Sequence, residues 1–117
     1  MTHIQKQLNE VLATLPSHVR LVAVSKFHPI SALQEAYDAG QRIFGESKVQ
    51  EMTQKYEAMP KDIAWHFIGH LQTNKIKYMA PYVAMIHGVD SFKLLAEIDK
   101  QAAKAGRCIP CLLQIHI

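Results

Sequence analysis

Lys26 closes the apolar run Leu21-Val22-Ala23-Val24 and stands just before a His-Pro turn, in Ser25-Lys26-Phe27-His28-Pro29. A lysine at the end of a β-type run can be partly desolvated, which lowers its pKa and frees its lone pair for a carbonyl. Other chemistry-bearing residues recur at matching places. Glu46 and Ser47 follow Arg42-Ile43-Phe44-Gly45. Gly69 and His70 follow the run Ala64 to Ile68, with Gln72 and Asn74 close behind, and Asp90-Ser91 follows a fourth run. An amine, a carboxylate, an imidazole, hydroxyls and amides on one rim describe a pocket for a polar small molecule. Structural duties compete for the same residues. Ser91 is a favoured helix cap, Glu46 suits the first turn of a helix dipole, Gly69-His70 makes a plain turn, and Lys26 marks where a strand surfaces.

The elements that must position these residues alternate along the chain. Helical spacing of Ile4, Leu8, Val11, Leu12 and Leu15 predicts a helix over about 2–15, ended by Pro16-Ser17. The nearly all-apolar stretch 19–25 reads as a strand covered on both faces. Pro29 and Ser31 open a second helix that Gly40 stops, and 42–45 is a short second strand. A helix starting at Glu46 and running to Met59 presents Val49, Met52 and Tyr56 inward. Strand 64–68, helix 73–79, strand 82–87, helix 91–104 and strand 111–117 complete the order. Trp65 and Phe67 read as core, and His66 as a packing histidine. Strands alternating with helices predict a parallel α/β sheet with right-handed crossovers. A doubly wound sheet and a (β/α) barrel both fit, and in both architectures ligands bind at the C-terminal ends of the strands.

Composition narrows the function class. Of 117 residues, 49% are apolar and 20% charged, with 13 basic and 10 acidic residues and a formal charge of +3. That suits a globular domain, and the scattered basic residues argue against nucleic acid as a partner. The longest apolar runs fall short of a bilayer span, and the N-terminus lacks a secretory pattern. The expected location is the cytoplasm, with no membrane partner. Cys108 and Cys111 form a CxxC, but a strand-like run follows it rather than the helix that activates a redox pair. With no second pair to complete a zinc site, the reading is a connection that happens to hold two thiols.

Four segments then carry a specific resemblance: Leu-Val-Ala-Val-Ser-Lys at 21–26, Phe-Gly-Glu-Ser-Lys-Val-Gln-Glu at 44–51, Trp-His-Phe-Ile-Gly-His-Leu-Gln-Thr-Asn-Lys at 65–75, and His-Gly-Val-Asp-Ser at 87–91. In this order they resemble the pyridoxal 5′-phosphate (PLP) homeostasis proteins, single-domain relatives of the alanine racemase N-terminal domain. The resemblance implies a TIM-barrel-like fold holding PLP as a Schiff base on Lys26, with Glu46, Ser47, Gly69 and His70 about the cofactor. It implies a role in vitamin B6 homeostasis, binding and delivering PLP without turnover. Ser47 replaces an asparagine usual in the family, and His116 stands where the fifth-strand motif usually ends in asparagine.

Residues 1–117 are accordingly expected to form the N-terminal part of such a barrel, truncated after strand five. The phosphate site of such barrels is commonly built near strands seven and eight, so weak or absent PLP binding is expected of these residues alone. The alternative function is an assembly unit, a homodimer hiding its open edges. An active racemase would need a second acid/base group opposite the lysine, and none is assigned.

Overall fold

A computed structural model of the chain describes residues 1–115. Five strands and five helices alternate: α1 His3–Thr14, β1 Ala23–Val24, α2 Ile30–Asp38, β2 Ile43–Glu46, α3 Val49–Ala58, β3 Ala64–Phe67, α4 Ile76–Met79, β4 Met85–Val89, α5 Phe92–Lys104 and β5 Cys111–Leu113. A single 3-10 turn, Thr73–Lys75, precedes α4. The fifth strand was expected to reach residue 117. It ends instead at Leu113, and residues 116 and 117, His116 among them, lie outside the described residues.

Helix boundaries follow from capping. Thr2 caps α1 in a reciprocal box with Gln5, satisfying two of the amide groups that open a helix. The Ser91 hydroxyl accepts from the Leu94 amide and starts α5. Gly40 and Gly106, which follow α2 and α5, take the left-handed backbone that stops a helix.

All strand pairs are parallel, and the order across the sheet is β1-β2-β3-β4-β5. A doubly wound sheet reverses its order at a switch point. Here the order never reverses, so right-handed crossovers stack the helices on one side, as in a sector of a (β/α) barrel. That settles the choice the sequence left open.

Between sheet and helices lies the core. Phe44, Trp65, Phe67, Ile86 and Val89 from the strands join Leu33 of α2, Met52 of α3, Ile76 and Met79 of α4, and Leu94 and Ile98 of α5. Trp65 and Phe67 are core residues, as expected. The opposite, concave face is more open. Val24 is 56% exposed, so β1 is covered on one face only, against the sequence expectation. His66 and His87 meet on that face, ring nitrogen to ring nitrogen at 3.0 Å. Desolvation lowers both pKa values, and each ring gives the other a hydrogen-bond partner, in keeping with the reading of His66 as a packing histidine.

Two further expectations are corrected. Residues 82–87 were read as the fourth strand, but the ladder begins at Met85. Tyr82 instead stacks on Tyr56 of α3, with centroids 4.0 Å apart, and Val83 is fully buried, both ahead of the strand. Glu46 was expected to open a helix; it ends β2, and α3 begins at Val49.

Candidate functional site

The turn after β1 carries Lys26. Ser25 is buried, while Lys26 and Phe27 are exposed. Expected to be partly desolvated, Lys26 is instead exposed, on a turn that follows the end of β1 at Val24. Phe27 has φ +67°, a left-handed conformation costly for a bulky side chain and most often found where function constrains the backbone.

Buried polar groups hold this turn on both sides of Lys26. The Ser25 amide donates to the Gly45 carbonyl at 2.9 Å, and the Ser25 hydroxyl donates to Glu46 Oε2. Lys55, on α3 and only 4% exposed, donates to the Ser25 carbonyl (2.9 Å), Glu46 Oε2 (2.9 Å) and Glu51 Oε2 (3.0 Å). Glu51 Oε2 in turn accepts from the Phe27 amide at 2.9 Å. One ammonium and two carboxylates thus fix the residues before and after the exposed lysine.

The two carboxylates answer differently to this setting. Glu46 is fully buried, and its Oε1 has no protein partner. Desolvation raises its pKa despite the opposing bonds from Ser25 and Lys55. Desolvation acts in the same sense on Glu51, but the bonds from Lys55 and the Phe27 amide outweigh it and bring that pKa below the ordinary value.

Beside the turn opens a cleft of about 700 Å³ whose lining includes Phe27, Ser47, Lys48, His70, Gln72 and Lys75. This size falls within the usual range for small-molecule sites. Gly69 explains how two of its walls meet: a Cβ there would lie 2.3 Å from the Ser47 carbonyl oxygen. Only a residue without a side chain lets the loops after β2 and β3 approach so closely.

The sequence-predicted residues therefore separate into layers. Ser47 and His70 line the cleft, Gly69 lets the two loops beside it approach, and Lys26 is not among the lining residues, although its neighbour Phe27 is. Glu46 has no exposed surface and reaches Lys26 only through Ser25 and Lys55. Sequence reasoning missed Lys55, which resembles an ordinary helix-surface lysine; its spacing of four from Glu51 was the available signal. Ser91 is a cap rather than a site residue. Cys108 and Cys111 are both free. Among the described residues no cluster of three metal-ligating side chains occurs, and no helix is long and apolar enough to cross a membrane.

Comparison with known proteins places this geometry. The family model for the alanine racemase N-terminal domain matches residues 1–117. The pyridoxal phosphate homeostasis protein of Synechocystis sp. is 42% identical over 111 residues, covering 93% of this chain and 51% of that protein. Its counterpart from Aquifex aeolicus is 40% identical over 99 residues, covering 84% of this chain and 43% of that protein. The structure of PipY from Synechococcus elongatus without PLP superposes with a TM-score of 0.93 at 40% identity, covering 98% of this chain and 54% of PipY. PipY with PLP bound gives 0.91 at 41% identity, over 98% and 55%. The chain spans about half the length of the curated relatives it matches.

Proposed function

Because the chain belongs to the alanine racemase N-terminal domain family, we propose that it binds PLP through Lys26 and serves cofactor homeostasis. The observation that carries this reading is the exposed Lys26 amine on a turn pinned at Ser25 and Phe27, beside a cleft of ligand size. Support comes from PipY, which this chain matches over 98% of its length and whose structure is known with PLP bound.

The residues present fit such a group. PLP supplies an aldehyde, which condenses with a primary amine and releases water; Lys26 offers an accessible amine. The Ser47 hydroxyl and His70 imidazole offer polar contacts, and Lys48 and Lys75, which outnumber the one lining carboxylate, Glu51, offer cations that suit a phosphate. Glu46 serves from behind by fixing Ser25. The role is carrying rather than turnover, in the cytoplasm: racemisation requires a second acid/base group opposite the lysine, and the names of the relatives describe homeostasis.

Titration with excess PLP tests the reading, since the affinity expected of these residues is low. An imine absorbance band should appear with the native chain and vanish in Lys26→Ala. A band that survives the substitution removes Lys26 as the attachment residue.

A second reading, self-association, is favoured by the exposed apolar side chains at the two outer strands, Val24 at 56% and Leu112 at 49% exposure. Two copies covering these positions would scatter light as a dimer. A monomer at working concentration refutes it.

A further inference from the structure

We infer that Lys55 is a positioning residue for Lys26, acting with Glu51 as a clamp that holds the turn in its left-handed form. The inference rests on the reading of Lys26 as the PLP-bearing residue. It adds Lys55 of α3, which does not line the cleft, beside Glu51, which does.

The argument starts from what a flexible turn would do. Lys26 has four rotatable side-chain bonds and stands in solvent, so little in its own side chain fixes where the amine dwells. Direction must come from the backbone on either side. On the N-terminal side Ser25 is tied to its surroundings by its amide to Gly45, its hydroxyl to Glu46 and to the Gly45 carbonyl, and its carbonyl to Lys55. On the C-terminal side Phe27 is held in a conformation it would otherwise leave, and its amide donates to Glu51. The His28 amide also donates to the Ser25 carbonyl at 3.1 Å across the turn, and Lys55 is the side chain that joins the two sides. Its ammonium has three hydrogens, and three acceptors take them: Ser25 O, Glu46 Oε2 and Glu51 Oε2.

Stability alone accounts poorly for this arrangement. Burying an ion pair seldom adds stability over a well-packed apolar pair of similar volume, whereas a fixed register is among its better-attested uses. Here the buried charges converge on the backbone that brackets one exposed amine. All three acceptors of Lys55 are tied to that turn: Ser25 O belongs to it, Glu46 Oε2 accepts from the Ser25 hydroxyl, and Glu51 Oε2 accepts from the Phe27 amide. Losing Lys55 would leave Glu51 free to swing outward, since its side chain is 24% exposed, and Phe27 free to relax toward ordinary backbone angles.

The test uses Lys55→Met and, because that variant risks unfolding, Glu51→Ala at a partly exposed position. Two readouts are taken on folded protein. The first is hydrogen exchange at the Phe27 amide without PLP, expected to speed up tenfold or more in both variants. The second is the share of PLP trapped on Lys26, against all other lysines, after borohydride reduction and peptide mapping. That share should fall at least threefold in each variant, and the double variant should be no worse than Lys55→Met alone, because both residues act through one clamp. Unchanged Phe27 exchange in folded Glu51→Ala overturns the clamp, whatever PLP does. Faster exchange with an unchanged Lys26 share overturns the positioning role. If the native chain traps no excess on Lys26, while exchange responds as expected, the PLP reading fails and takes the positioning role with it, and the clamp stands only as a property of the turn.

Discussion

Lys55→Met should destabilise the fold by about 3–5 kcal/mol at neutral pH, the usual cost of removing one partner from a buried ion pair. The structure places this case toward the costly side. Glu46 is wholly buried, its Oε1 already lacks a partner, and Lys55 supplies the one cationic contact to its Oε2. With a domain stability of about 5–15 kcal/mol, the variant would remain folded with little to spare. The loss should depend on pH. Burial already raises the Glu46 pKa, and without the ammonium it rises further. A carboxyl whose folded pKa is raised contributes stability that is fully present below the unfolded pKa and is lost as pH rises through the folded one. The gap between variant and native protein should therefore narrow on acidification. Urea unfolding of both proteins at pH 7 and pH 5 measures it. Removing the orphaned charge as well, in Lys55→Met with Glu46→Gln, should recover at least half the loss at pH 7. A gap below about 1 kcal/mol at pH 7, or one that stays constant with pH, refutes the buried-pair reasoning.

Three further outcomes follow from the same geometry. Gly69→Ala forces a Cβ against the Ser47 carbonyl and should cost about 1–3 kcal/mol in chemical denaturation; a neutral result would mean the two loops separate freely. Phe27→Gly relieves a left-handed penalty of about 1–3 kcal/mol against an entropic cost of about 0.5–1 kcal/mol. Its unfolding free energy should thus equal or exceed that of the native chain, and a clear loss would show that the ring matters more than the backbone. His66 and His87 have lowered pKa values, so the unfolded chain binds protons first and their contribution, full above the unfolded pKa, is lost as pH falls through it. His66→Gln should flatten the thermal-stability profile between pH 7 and pH 5, and an unchanged slope would exclude the pair as its source.

Much of the architecture was legible because period and punctuation agree. Gly40, Ser91 and Gly106 mark helix ends by local chemistry, and the structure uses each of them so. Sheet order was not legible, since parallel strands joined by helices give the same pattern in a barrel and in a doubly wound sheet. The start of β4 was misplaced because Tyr82 is apolar for stacking on Tyr56 of α3 and Val83 for burial in the core, rather than for pairing. Among the candidate residues, Lys26, Ser47, Gly69 and His70 were picked out by their position after strands. Lys55 did not, because its burial depends on a carboxylate from β2 and a carbonyl from β1, partners that only tertiary structure brings together.

The unreversed strand order also bears on how the chain acquires its structure. Paired residues across every strand junction lie 19 to 25 positions apart in sequence. Each new strand therefore closes a loop of nearly the same short length, and closure entropy grows only slowly with loop length. Parallel sheets are ordinarily slow to form because distant segments must find one another. Here a nascent strand needs only the one made just before it. The sheet can grow in the order of synthesis, and the β1 turn bearing Lys26 gains its clamp as soon as α3 has emerged.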